Sequence, residues 1–162
     1  FVDSGAAELA AELGAVSADH LMAVSDVGIK AMAEQGVMAT LLPGTTLFLG
    51  KSSYAQGRKM IDMGCDVALA TDFNPGSCPC PSLPEVAHFA RRRLGLTAEE
   101  TLEAITSAAA DSLGAGDRKG RLVPGHDADL VVLDLPDLDH FGYFLGENPV
   151  RAVVVAGGVV EE

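Results

Sequence analysis

Three short apolar runs that alternate with helical segments constrain the fold of this chain most strongly. The runs lie at residues 15–19, 37–42 and 67–71. The second run, VMATLL, is continuously apolar until Pro43-Gly44 stops it, which is typical of a strand buried on both faces. Strands separated by helices are usually joined by right-handed crossovers into a parallel sheet. The sequence therefore predicts an α/β fold.

Capping signals indicate where the intervening helices begin and end. Ser82 and Thr97 are each followed three residues later by a glutamate, the spacing of a capping box. The other starts and stops are Ser, Thr and Gly at the ends of helical patterns. The predicted helices are residues 5–13 after Ser4, DVGIKAMAEQ between Ser25 and Gly36, a segment near 55–63, one helix after Ser82, and the single helix AEETLEAITSAAADSLG after Thr97.

Beyond residue 114 the composition changes. The runs GRLVPGHDADLVVLDL and RAVVVAGGVVEE are rich in β-branched residues and glycine, which predicts a small β subdomain. A parallel barrel needs eight strands, so three strands make only part of one. We therefore expect a partial (β/α) barrel over residues 1–114 and part of a β domain over 115–162. Because the chain begins with Phe rather than Met, we expect it to be the back portion of a longer protein.

Composition excludes several classes of function. The formal charge is −12 and only 5% of the 162 residues are aromatic, with no Trp, which argues against nucleic acid or an anionic membrane as a partner. No apolar run approaches the roughly 18 residues that a membrane-spanning helix needs. Three cysteines are too few for a disulfide framework, so we expect a cytoplasmic protein.

The residues at the three strand ends are the candidates for chemistry. In parallel α/β folds, sites gather at the carboxyl ends of the strands. These ends carry Asp19-His20, Pro43-Gly44-Thr45-Thr46 and Asp72-Phe73-Asn74. Aspartate is a poor strand residue and costly to bury unless paired or metal-bound. From the residues alone, Asp72 is either a turn cap or a metal ligand, and His20 is either a buried structural histidine or a site residue.

Several segments together resemble the imidazolonepropionase family of metal-dependent amidohydrolases. They are SADHL, SDVGIKAMAEQG, LLPG, LATDFNPG, LTAEETLEAITSAAADSLG, GRLVPGHDADLVVLD and NPVRAVVVAGG. The resemblance runs along essentially the whole chain. TDFNPG after LLPG is fairly specific to this family, whereas ADLVVLD is shared by the wider superfamily.

This resemblance implies a fold and a reaction. The fold would be the C-terminal part of a (β/α)8 barrel, including its last three strands, with part of a small β-sandwich domain. The reaction would be hydrolysis of the cyclic amide C–N bond of 4-imidazolone-5-propanoate to N-formimidoyl-L-glutamate, in histidine degradation. The implied partners are this small-molecule substrate and the missing N-terminal part of the same protein. A homodimer is left open, because the sequence does not define the oligomeric state.

The resemblance also assigns residues. Asp72 matches a metal ligand for one zinc or iron ion and a general base. His20 matches an active-site histidine that contacts the substrate or the metal-bound water. Asn74, Gly76 and Ser77 match substrate-binding positions, with Ser77 standing where Thr is more usual. The remaining metal ligands of the family would lie before Phe1, so we expect this chain alone to lack hydrolase activity.

Two other interpretations stay open at this point. The chain can belong to another cyclic amidohydrolase or deaminase of the same superfamily, or it can be a non-catalytic module without a metal site. The pair Cys78 and Cys80 departs from the family pattern, and two thiols alone make an incomplete metal site.

Overall fold

The computed structural model describes residues 2–161 and contains two three-stranded sheets with helices around the first. The ends of the two expected parts, Phe1 and Glu162, lie outside the described residues. In chain order the elements are α1 (Ala6–Glu12), β1 (Ser17–Asp19), α2 (Asp26–Gln35), β2 (Met38–Leu41), α3 (Pro43–Phe48), α4 (Gly57–Asp62), β3 (Val67–Leu69), α5 (Leu83–Phe89), a π-helical turn (Ala90–Leu94), α6 (Ala98–Ile105), α7 (Ser107–Ser112), β4 (Leu130–Leu133), a 3-10 turn (Leu138–His140), β5 (Val150–Val155) and β6 (Gly158–Glu161).

The first sheet is parallel, in the order β1-β2-β3, as the alternating pattern predicts. Alternate residues of a strand point to opposite faces, and both faces are covered here. Leu41 and Leu69 belong to the main core cluster, together with Ile29 and Met32 of α2. On the opposite face of the sheet, Met38 and Ala68 pack with Ala108 of α7. The sheet is therefore enclosed on two sides, and its carboxyl edge is the part left to form a site.

Helix α2 has the bounds that its capping residues predict. The Oγ atom of Ser25 accepts a hydrogen bond from the backbone N–H of Gly28 at 3.2 Å, and Gly36 ends the helix in the left-handed conformation. Gly28 is also a close-approach position, since a Cβ there would lie 2.9 Å from Cγ2 of Val24 and 3.0 Å from Cβ of Ala7. Its missing side chain lets α1 and α2 pack closely.

The helix predicted over residues 98–114 is wrong in one respect, because it is two helices. Thr97 and Glu100 form the predicted capping box, but the backbone breaks at Thr106, with φ −120° and ψ −87°. The Thr106 hydroxyl donates a hydrogen bond to the backbone carbonyl of Leu102 at 2.7 Å. Such hydroxyl bonds compete with the helical ladder and bend helices.

A second difference from the prediction is at Pro43. This residue does not simply end β2, because it is also the first residue of α3.

The second sheet is antiparallel, in the order β4-β5-β6. It follows a loop with an ion-pair network, in which Arg118 and Lys119 contact Asp127, and Lys119 also contacts Asp129. Asp129 in turn accepts a hydrogen bond from the backbone N–H of Ala156 at 2.8 Å, which connects the network to the end of β5. Charged side chains thus hold this sheet to the loop before it.

The segment between β4 and β5 connects the second region to the first. Arg91 donates hydrogen bonds to the backbone carbonyls of Asp139 and Phe141. Phe141 is buried, and the ring of His88 on α5 reaches the carbonyl of Gly142 at 3.1 Å. Within residues 2–161, no helix is long and apolar enough to cross a membrane.

Candidate active site

The three strand ends converge on one cavity of about 620 Å³. Among the residues that line it are His20, Thr45, Asp72, Asn74 and Ser77. These come from the ends of β1, β2 and β3, which run parallel and are adjacent in the sheet. The prediction that His20, Thr45 and Asp72 share one edge is confirmed. Gly76 does not line the cavity, although it belongs to the same turn.

Asp72 is held by hydrogen bonds on both sides of its carboxylate. The Oγ1 atom of Thr45 donates to Oδ2 at 2.6 Å, and Nδ2 of Asn74 lies 3.3 Å from Oδ1. The backbone of Asp72 has a φ of 51°, the left-handed region that non-glycine residues rarely adopt. Residues in such conformations cost on the order of 1–3 kcal/mol each and cluster at functional sites. The strand end therefore presents an oriented carboxylate on a strained backbone.

The Asn74 side chain organises the turn that follows. Its Oδ1 accepts hydrogen bonds from the backbone N–H groups of Gly76 (2.9 Å) and Ser77 (2.8 Å). Its Nδ2 donates to the backbone carbonyl of Asp72 at 2.7 Å and to Oγ of Ser77 at 3.0 Å. The residues that the family resemblance assigns to substrate binding are thus linked to one another and to Asp72.

His20 follows β1 directly and is also in the left-handed region, with φ 69°. Its backbone N–H donates to the carbonyl of Thr40 at 3.0 Å, which extends the pairing of β1 with β2 by one residue. Its Nδ1 atom is buried and has no hydrogen-bond partner among residues 2–161. Because His20 lines the cavity, this nitrogen is one of the polar groups available there.

Asp3 is a cavity residue that sequence reasoning missed. Its carboxylate accepts hydrogen bonds from the backbone N–H of Gly5 (3.1 Å) and of Ser25 (3.0 Å). The backbone hydrogen bond from Gly5 is the largest cause of a lowered pKa of Asp3, and hydrogen bonds with the side chain and backbone of Ser25 lower it further. Asp3 therefore adds a negative charge to the rim of the cavity at neutral pH. The sequence signal was weak, because an aspartate two residues before a helix is usually only a turn residue.

None of the three cysteines lines the cavity within the described part of the chain. Cys78 is fully buried, and a Cβ added to Gly44 would come within 3.1 Å of its Sγ. Cys65 donates to the backbone carbonyl of Ile29, and burial raises the pKa of its thiol. Both thiols therefore have a packing role at these positions.

The fit of a metal ion can be judged from the oxygen and nitrogen donors at the cavity. Asp72 offers a carboxylate at the cavity wall, and divalent metals accept such ligands. Within the described part of the chain, no group of three or more His, Cys, Asp and Glu side chains could hold a metal ion together. Asp72 thus fits as one ligand, and a complete metal site would need donors beyond those that the described residues bring together.

With this fold and site described, comparison with known proteins gives the class. The chain belongs to the amidohydrolase family, whose model matches residues 5–161. Within that class its similarity is to imidazolonepropionases. It is 49% identical over 156 residues to the imidazolonepropionase of Bacillus velezensis, covering 96% of this chain and 37% of that protein. It is 48% identical over 159 residues to that of Porphyromonas gingivalis, covering 98% and 37%.

The chain therefore spans about 37% of the length of these curated relatives. Solved structures agree on the fold. An adenosine deaminase from Xanthomonas campestris with bound zinc matches with a TM-score of 0.79 and 27% identity, over 91% of this chain and 38% of that one. An atrazine chlorohydrolase from Arthrobacter aurescens, complexed with zinc and atraton, matches with a TM-score of 0.77 and 25% identity, over 92% and 36%.

Proposed function

We propose that this chain is part of an imidazolonepropionase, which hydrolyses the cyclic amide C–N bond of 4-imidazolone-5-propanoate to N-formimidoyl-L-glutamate. The observation that carries the proposal is the 48–49% identity to imidazolonepropionases over at least 96% of the chain. The cavity at the strand ends supports it, because a small-molecule substrate requires a concave site with a few placed polar groups. Because the chain covers 37% of the relatives, the proposed complete site includes residues of a longer protein.

The proposed architecture follows the same comparison. In this proposal β1–β3 are the last three strands of a (β/α)8 barrel, and β4–β6 are part of a small β-sandwich domain completed by the rest of the protein. The parallel order of β1–β3 and the position of the cavity at their carboxyl ends support the barrel assignment.

The proposed cofactor is one divalent metal, zinc or iron, with Asp72 as one of its ligands. Bound zinc in the adenosine deaminase and chlorohydrolase structures supports a metal in this family. When bound, such a metal polarises a carbonyl and makes water nucleophilic at neutral pH. The further ligands would come from the preceding part of the protein.

The residues of this chain would then supply proton transfer, transition-state stabilisation and substrate binding. Asp72 accepts a proton from the attacking water at a carboxylate oxygen and returns it to the leaving ring nitrogen, a role worth about 10²–10⁴-fold in rate. His20 donates a hydrogen bond to the oxygen that becomes negatively charged in the transition state. The turn formed by Asn74, Gly76 and Ser77 holds the propionate or the polar ring atoms of the substrate.

The test is to compare Asp72→Asn and His20→Ala in the complete enzyme. Asp72→Asn keeps the size of the side chain but removes its charge and basicity, so turnover should be lost together with bound metal. His20→Ala should reduce turnover severely and leave the metal content near that of the wild type. Substrate hydrolysis and metal content by elemental analysis are the measurements. Asp66→Asn is the matched control, because Asp66 is an exposed carboxylate just before β3 that does not line the cavity.

Loss of metal in the His20 variant with full metal in the Asp72 variant would reverse the two assignments. Absence of imidazolone hydrolysis by the wild-type enzyme would refute the proposed function itself. The adenosine deaminase match makes deamination the second candidate, and adenosine is the substrate to assay beside it.

A further inference from the structure

We propose that Thr45 is a positioning residue that fixes the carboxylate of Asp72 in the orientation needed at the site. This inference rests on the proposed function, in which Asp72 is a metal ligand and proton carrier. It concerns a different residue, on a different element, which acts through Asp72.

The contact between the two side chains is short and dry. Oγ1 of Thr45 donates to Oδ2 of Asp72 at 2.6 Å, within the range of strong hydrogen bonds from a hydroxyl to a charged acceptor. Thr45 is only 3% exposed, so water does not compete effectively for its hydroxyl. The burial of Thr45 and the short contact together indicate that its hydroxyl serves to bind the carboxylate of Asp72.

The donor is also held rigidly. Thr45 lies in the first turn of α3, which packs against α5, and a β-branched side chain in a helix has few accessible rotamers. Asp72 in contrast is a turn residue just beyond β3, and the terminal torsion of a carboxylate is intrinsically broad. The fixed hydroxyl therefore restricts a group that would otherwise rotate.

The second support comes from inside the turn. Asn74 approaches the other oxygen, Oδ1, at a longer distance of 3.3 Å. Among the described residues, the bond from Thr45 is the one side-chain hydrogen bond that connects the carboxylate to an element outside its own turn, and it joins residues 27 positions apart. Thr45 thus couples the end of β2 to the end of β3, and its loss should disorder the carboxylate while Asn74 still holds the turn.

The experiment uses Thr45→Val in the complete enzyme, which keeps the β-branched shape and removes the hydroxyl. Removing a hydrogen-bond partner of a metal ligand typically costs about 10–100-fold in metal affinity or activity. We expect a loss of this size in zinc affinity, measured by competition with a chelator, and in kcat, with KM little changed. Thr45→Ser keeps the hydroxyl and should restore both values to near those of the wild type.

The matched control is Thr46→Val, the same substitution at the next residue, which is 2% exposed and, among the described residues, is not one of the hydrogen-bond partners of the Asp72 carboxylate. If Thr45→Val and Thr46→Val lose zinc affinity and kcat equally, Thr45 is only a packing residue and the inference is overturned. Failure of Thr45→Ser to restore them would overturn it as well. Should Thr45→Val not fold, Thr45→Ala removes the same hydroxyl without adding a methyl group.

The zinc measurement separates this inference from the proposed function. A wild-type enzyme that binds zinc but does not hydrolyse the imidazolone refutes the proposed reaction. In that case a selective loss of zinc affinity in Thr45→Val still supports the positioning role, and an unchanged affinity still overturns it.

Discussion

The two sheets of this molecule differ in composition and are stabilised in different ways, since the antiparallel strands are much richer in valine than the parallel ones. All three residues of β3 are buried, and β2 contains Leu41 with no exposure at all. The antiparallel sheet has no buried residue in β4 or β5, and in β6 Val159 is 59% exposed. Apolar burial dominates the parallel sheet, whereas backbone pairing and ion pairs hold the antiparallel one.

The comparison shows that a strand-like sequence does not determine how much burial contributes to a sheet. Helices follow each parallel strand and cover both faces of the first sheet. Between β4 and β6, the described chain forms a 3-10 turn but no α-helix. The contacts of the second sheet with the loop before it are mainly polar. Substitutions of equal size should therefore have very different effects in the two regions.

The largest effect is expected in the centre of the parallel sheet. Leu41→Ala should lower the free energy of unfolding by about 2–5 kcal/mol, because it removes a fully buried side chain and leaves a cavity among residues that cannot close it. Chemical denaturation with urea measures the change. A loss below about 1 kcal/mol would mean that the parallel sheet is no better packed than the antiparallel one.

A smaller loss is expected where the two regions meet. Gly142 has φ 67°, and a Cβ there would lie 2.9 Å from the backbone of Ala87 and of His88. Gly142→Ala should cost about 1–3 kcal/mol through backbone strain and this close approach. Hydrogen exchange should show faster opening of β4–β6 than of β1–β3. Gly146→Ala is the control, because it has a positive φ without a close contact to backbone.

Acid should weaken the antiparallel region through its carboxylates. A hydrogen bond from Arg118 lowers the pKa of Asp127, and one from Lys119 lowers the pKa of Asp129. Carboxyls with a lowered pKa in the folded state stabilise it above their unfolded value of 3.8, and this contribution is lost as the pH falls through the lowered pKa. The effect is modest, since exposed ion pairs contribute little.

The check on this prediction is the urea midpoint at pH 6 and at pH 2.5. Replacing Asp127 and Asp129 together by Asn should reduce the difference between the two midpoints. Part of the difference should remain, because Arg121 lowers the pKa of Asp111 in the same way. An unchanged pH dependence in the double variant would show that the ion-pair network does not stabilise the fold.

The smallest effect is expected on the surface of the antiparallel sheet. Val159→Ala should change the free energy of unfolding by no more than about 0.5 kcal/mol, because the side chain is mostly exposed. The same urea measurement applies. A larger loss would show that another part of the protein packs against this surface.

Local signals in the sequence were sufficient for much of the fold. Ser25 and Gly36 gave the bounds of α2, because a cap and a left-handed stop act within a few residues. The break at Thr106 was missed, since the sequence on both sides is strongly helical and Thr101 makes the same kind of hydroxyl bond inside unbroken α6. Periodicity records which residues are apolar, and it does not record where a side chain competes with the backbone.

The candidate site was predictable in its location and not in its internal contacts. The rule that sites gather at the carboxyl ends of parallel strands predicted that His20 and Asp72 would lie at one cavity. The bond between Thr45 and Asp72 joins residues far apart in sequence, and no local pattern encodes it. The unpartnered Nδ1 of His20 also depends on tertiary burial, which a single sequence does not reveal.

The left-handed backbone at the cavity has a consequence for selection. His20, Leu21 and Asp72 all have φ between 51° and 69°, a region that glycine or asparagine adopts at little conformational cost. A chain selected for thermal tolerance alone would be expected to drift toward those residues at these three positions. His20 and Leu21 in this conformation should therefore lower the melting temperature of the scaffold relative to glycine at the same positions. Screens for heat-resistant variants should recover substitutions at this edge of the sheet.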